Sequence, residues 1–196
     1  MYKLSPETRV MVLRWLTDRM GVRAVGRLTG ASRGAILRLL AEAGSFAAFY
    51  QDRVFRNLRT SRVEADEIWS FVGAKQKNAK QPGHGDLWTF CAIDAESKLV
   101  FSWLVGARSR ESTESFIADV ASRLAGRIQL STDAWGAYLT GVRKAFAFAR
   151  VDYAQIAKVF ASPVDPSAPG RYSPPVCIGC VRQRMIGRPR PELVST

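Results

Sequence analysis

The chain has 196 residues, 47% of them hydrophobic, and a formal net charge of +12. That is enough for one domain, or for a small domain beside a larger one, with an ordinary globular core. Three cysteines, Cys91, Cys177 and Cys180, exclude a disulfide framework. No run approaches the roughly 20 apolar residues of a membrane span, so the chain is expected in the reducing cytoplasm. The charge is unevenly spread. Residues 1–62 carry 12 Lys and Arg against 4 Asp and Glu, residues 63–162 carry 12 against 11, and residues 163–196 carry 5 against 2. A basic segment beside a balanced one suggests a polyanion partner. The preference for Arg over Lys suits bidentate contacts to phosphate and guanine.

The first elements read as helices. Ser5 can cap a helix with Pro6 at its first position. Val10, Leu13, Trp15, Leu16 and Met20 give it an apolar stripe, and Gly21 stops it. Val22 to Leu28 make a second short helix, and Thr29-Gly30-Ala31 a turn. Ser32 caps a third helix, which Gly44 is expected to close. Two short helices joined by such a turn predict an all-α helix-turn-helix domain over residues 1–45. Val22, Val25, Leu28, Ile36 and Leu40 would form its core. Ser32, Arg33, Gly34 and Leu37 would face the major groove, with Arg38 on a phosphate. A helical bundle with solvated arginines is the alternative. Residues 46–61 read as a basic connector with Arg53, Arg56 and Arg59.

From Arg62 the texture changes to strands. The first is Val63 to Val72, followed by a basic loop with Lys75, Lys77 and Lys80. Leu87 to Ile93 and Leu99 to Val105 flank a hairpin turn at Asp94-Ala95-Glu96-Ser97. Ser112 to Leu124 is a helix, Ile128 to Thr132 a strand, Trp135 to Phe148 a helix and Val151 to Val159 a fifth strand. The order predicts an α/β domain over residues 62–160, a mixed five-stranded sheet with flanking helices, in the ribonuclease H-like layout. Residues 161–196 hold seven of the nine prolines, so regular structure is not expected there. Arg182, Arg184, Arg188 and Arg190 would track a phosphate backbone, or the segment is a solvated linker. Cys177 and Cys180 have half the spacing of a zinc ribbon, with no second pair to complete it.

Asp66 and Asp133 carry the chemistry. Each interrupts an apolar, strand-like run just before a tryptophan, Trp69 or Trp135. Carboxylates are disfavoured inside strands. In this layout the first and fourth strands are neighbours, so the two aspartates would come together and hold divalent cations. Two such ions about 3.5–4 Å apart drive in-line phosphoryl transfer. Strand-end caps are the structural alternative for either residue alone.

The segment Ala65-Asp66-Glu67-Ile68-Trp69-Ser70-Phe71-Val72-Gly73 resembles the D-E-x-W-x-[FY]-V-G signature of DDE transposases of the insertion sequence one type. Gly85-Asp86-Leu87-Trp88-Thr89-Phe90, Ala92-Ile93-Asp94 and Thr132-Asp133-Ala134-Trp135-Gly136-Ala137-Tyr138 extend the likeness over most of residues 62–160. The resemblance implies metal-dependent cleavage and strand transfer of transposon ends. It implies two Mg²⁺ or Mn²⁺ ions, double-stranded DNA as partner, and a homo-oligomer on that DNA. Asp66 and Asp133 become the first two carboxylates of a triad, and Glu67 an outer acceptor. The third member, a glutamate within a V-E-R-x-N-like helix, has no counterpart, and Glu192 follows a proline in a breaker-rich stretch. A truncated, inactive transposase with an exposed apolar patch is therefore expected. The other expectation is a non-catalytic protein that occupies transposon ends or an operator.

Overall fold

The structure, a computed structural model, describes residues 4–147, 150–161 and 175–195. It divides into two compact units, Met1–Val54 and Phe55–Thr196. The first holds three helices, α1 (Pro6–Thr17), α2 (Val22–Thr29) and α3 (Arg33–Val54). The Ser5 hydroxyl accepts from the Thr8 amide at 3.2 Å, and that of Ser32 from the Ala35 amide at 3.2 Å, so both expected caps form. Gly30 ends α2 in the left-handed region at φ 70°, which favours glycine.

Val12, Val25, Ile36 and Leu39 form the buried core of this unit. That corrects the predicted core. Val25 and Ile36 are in it, but Leu28 and Leu40 are 58% and 44% exposed. On α3 the inward stripe runs through Ile36 and Leu39, and Leu40 lies one step round the helix. The predicted stop at Gly44 is also corrected, and residues 46–54 of the expected connector are helical. A glycine inside a helix costs only about 1 kcal/mol, and the alanines and aromatics that follow carry α3 on to Val54.

The second unit is α/β. Its strands are β1 (Arg62–Val72), β2 (Gly85–Asp94), β3 (Val100–Gly106), β4 (Ile128–Asp133), β5 (Val151–Ala161) and β6 (Val176–Ile186). Helix α4 (Arg110–Arg123) precedes β4, and α5 (Gly136–Ala145) follows it. The sheet order is β3-β2-β1-β4-β5-β6. β4 is parallel to both β1 and β5, and the other pairings are antiparallel. This mixed open sheet is compatible with the predicted layout, with six strands in place of five. The sixth overturns the expectation of an irregular tail over Val176–Ile186, where β6 pairs antiparallel with β5; residues 162–174 of that tail lie outside the described residues. The prolines flank β6 rather than interrupt it.

Side chains alternate across a strand, and the two faces of the sheet are covered differently. Val63, Ala65, Phe90, Leu130 and Tyr153 pack beneath Phe116, Ile117 and Val120 of α4 and Tyr138 and Val142 of α5. The opposite face is crossed by residues 187–195. There Val194 is buried against Ala154 and Ile156. The Gln129 amide holds the Arg190 backbone in both directions, at 2.8 and 3.1 Å. The Ser195 hydroxyl donates to Glu64. Asp152 accepts the Arg188 amide at 2.6 Å and both ends of the Arg127 guanidinium at 2.6 and 2.7 Å. Farther along this face Ile68 and Val105 are 63% and 48% exposed. Among the described residues no helix is long and apolar enough to cross a membrane.

Candidate metal centre

The parallel register between β1 and β4 sets Ala65 beside Thr132. One step on, Asp66 lies beside Asp133, where β4 ends. β5 continues the row with Ile156 opposite Asp133. β4 stops here while β1 and β5 run on. The gap between them is a cleft of about 380 Å³ lined by Asp66, Asp133, Arg108, Trp135, Lys158 and Phe160.

Three carboxylates meet at this point. One oxygen each from Asp66, Glu67 and Asp133 lies within 4.8 Å of the others, and this is the single such group among the described residues. Glu67 projects on the helix side of β1, in phase with Val63 and Ala65, while Asp66 projects on the other. Alternation therefore holds, yet both reach the cluster, because β4 ends and leaves nothing between the faces. Asp66 and Asp133 also shape the backbone locally. Asp66 accepts the Glu67 amide at 2.8 Å, and Asp133 the Trp135 amide at 2.9 Å.

Arg108, in the turn before α4, completes the cluster. Its Nε donates to Glu67 Oε1 at 3.3 Å and its terminal nitrogen to Asp133 Oδ2 at 2.9 Å. The guanidinium lies 5.0 Å from the ring centre of Trp88 and 4.5 Å from that of Trp135. The Glu67 side chain is 1% exposed. Burial first, and the nearby Asp133 charge second, push its carboxyl up to about 7 against the opposing pull of Arg108. Below them Tyr138 is fully buried, and its hydroxyl has no hydrogen-bond partner in the described structure. Burial raises its phenol far above the usual range, and the charge of Glu67 adds to the effect.

Three carboxylate oxygen donors this close, beside an unsatisfied buried hydroxyl, could hold a metal ion. Glu192 stands exposed on a short 3₁₀ turn, outside the cluster. Sequence reasoning placed Asp66 and Asp133 and gave Glu67 only an outer role. It missed Arg108, which no motif marks. Cys177 and Cys180 are free and exposed on β6, outside any three-ligand group among the described residues. Lys75, Lys77 and Lys80 stay in an exposed loop, apart from the acidic cluster; Lys75 Nζ stacks 5.1 Å over Trp69. Ser32, Arg33, Leu37 and Arg38 are all exposed along the first turns of α3. Compared with models of known protein families and with curated proteins, the chain matches none.

Proposed function

We propose that this protein cuts and joins DNA strands as a DDE transposase with a ribonuclease H-like core, using a divalent cation at Asp66 and Asp133. The observation that carries this reading is the register that sets those two carboxylates side by side at the end of β4. A bound Mg²⁺ or Mn²⁺ supplies Lewis-acid polarisation of a phosphoryl oxygen and activation of an attacking oxygen. The chain's own residues do the rest. Asp66 and Asp133 hold the cation, and Glu67 stands beside them, held by Arg108. Arg108 sets a fixed positive charge beside the position a phosphate would take, where it offsets charge that develops during transfer. Trp135 and Phe160 wall the cleft.

The first unit is proposed to be a helix-turn-helix that holds double-stranded DNA. Ser32, Arg33 and Leu37 would read the major groove, and Arg38 would contact a phosphate. Lys75, Lys77 and Lys80 add phosphate contacts, and two or more copies act together on DNA ends. A second reading, a non-catalytic protein that occupies such ends, is favoured by one observation: Glu67 is already engaged by Arg108.

The test is a nicking and joining assay with the full chain, a duplex bearing a free 3′ hydroxyl, and Mn²⁺. Metal-dependent cleavage or joining that disappears in Asp133→Asn is expected. Activity that survives that substitution would refute the assignment. Binding of DNA without any cleavage would favour the second reading.

A further inference from the structure

The position of Arg108 bears on how many metal ions this centre takes. We infer that the Arg108 guanidinium stands where a second divalent cation would otherwise sit, so that the centre holds one ion, between Asp66 and Asp133. The inference rests on the metal-centre reading above and deepens it.

Four contacts fix the guanidinium. It donates to Glu67 at 3.3 Å and to Asp133 at 2.9 Å. Trp88 and Trp135 present their indoles to it at 5.0 and 4.5 Å. A planar fork with two acceptors at its edge and aromatic rings against it is a built site for arginine.

The donor inventory follows. Asp133 Oδ2 and Glu67 Oε1 already accept from Arg108, and Asp133 Oδ1 accepts the Trp135 amide. Asp66 has no cationic partner among the described residues; its Oδ1 accepts only the neighbouring Glu67 amide. Among the described residues Asp66 is thus the one carboxylate of the three without a cationic partner, and three carboxylates against one arginine leave two negative charges, which a single divalent cation between Asp66 and Asp133 balances. A second ion about 3.5–4 Å from the first would have to draw on Glu67, whose Oε1 already accepts from the guanidinium. Two positive charges so close, both drawing on Glu67 and Asp133, repel each other. The arginine thus supplies the second positive charge that paired ions supply elsewhere, and it positions Glu67 and Asp133 as it does so.

Mn²⁺ titration of the full chain tests this, followed by equilibrium dialysis and by electron paramagnetic resonance. One Mn²⁺ per chain is expected, with no spin-coupled pair. Arg108→Gln removes the charge and should admit a second Mn²⁺ and a coupled-pair spectrum. Arg108→Lys keeps the charge and should stay at one. Two Mn²⁺ in the parent chain would overturn the inference while leaving the metal centre in place. A single ion in Arg108→Gln would overturn it as well, since the place of the arginine would then not be a cation position. Should Arg108→Gln not fold, the parent count and Arg108→Lys still decide, because two ions in either contradict a one-ion centre. No Mn²⁺ in the parent would remove the metal-centre reading itself, and this inference with it.

Discussion

Replacing Glu67 by glutamine should make the metal-free protein more stable at pH 8 and leave it nearly unchanged at pH 4. The Glu67 side chain is 1% exposed, and its carboxyl titrates near 7 in the folded chain against 4.5 for a free glutamate. Below about pH 4.5 both folded and unfolded chains hold the proton, and the residue is neutral in each. Between 4.5 and 7 the unfolded chain releases it while the folded chain retains it, so stability falls as pH rises. Above 7 both are ionised, and the loss is complete. At about 1.4 kcal/mol for each pH unit, the gap corresponds to about 3–4 kcal/mol, an upper figure because Arg108 beside it is part-exposed to solvent. Glutamine keeps the shape and stays neutral throughout, so it should not show this fall. The assay is urea denaturation of both proteins with a chelator present, from pH 4 to 8. Parallel curves, or a glutamine variant less stable than the parent at pH 8, would refute the argument that burial without metal is what raises this carboxyl.

Three further outcomes follow from the fold. Gly187→Ala places a methyl group against the Asp152 carboxylate at φ 68° and should cost about 1–3 kcal/mol, read as a lower urea midpoint. Ile36→Ala empties the fully buried centre of the first unit and should cost about 2–5 kcal/mol, read from the loss of helical circular dichroism on heating. The first 54 residues, the first compact unit, should bind duplex DNA with an affinity that falls as salt rises. There Arg33→Ala should lose about 1–3 kcal/mol at a preferred site, and a salt-independent isotherm would remove the helix-turn-helix assignment.

Much of the fold was legible in the sequence because pattern and partner agree. The strand-like run from Val63, with Val63 and Ala65 in the core, and the cap at Ser32 are local signals that tertiary packing keeps. What was misread depends on long-range contacts. β6 was hidden because prolines were counted over the whole tail, whereas Val176–Ile186 is free of them and is ordered by the exposed edge of β5. Gly44 resembles a stop but lies inside a helix that continues to Val54. At the centre, alternation argued that Asp66 and Glu67 could not both face one ion. Alternation is kept, but β4 ends at Asp133, and one oxygen each from Asp66, Glu67 and Asp133 lies within 4.8 Å of the others. Arg108 carried no signal, since only folding brings a turn residue between Trp88 and Trp135.

The central claim, that Asp66 and Asp133 share a divalent cation, is tested most directly by calorimetric titration of the full chain with Mn²⁺. The parent should bind, and Asp66→Asn and Asp133→Asn should each abolish binding while the thermal unfolding midpoint without metal stays within a few degrees. Binding undiminished in either variant would contradict the claim.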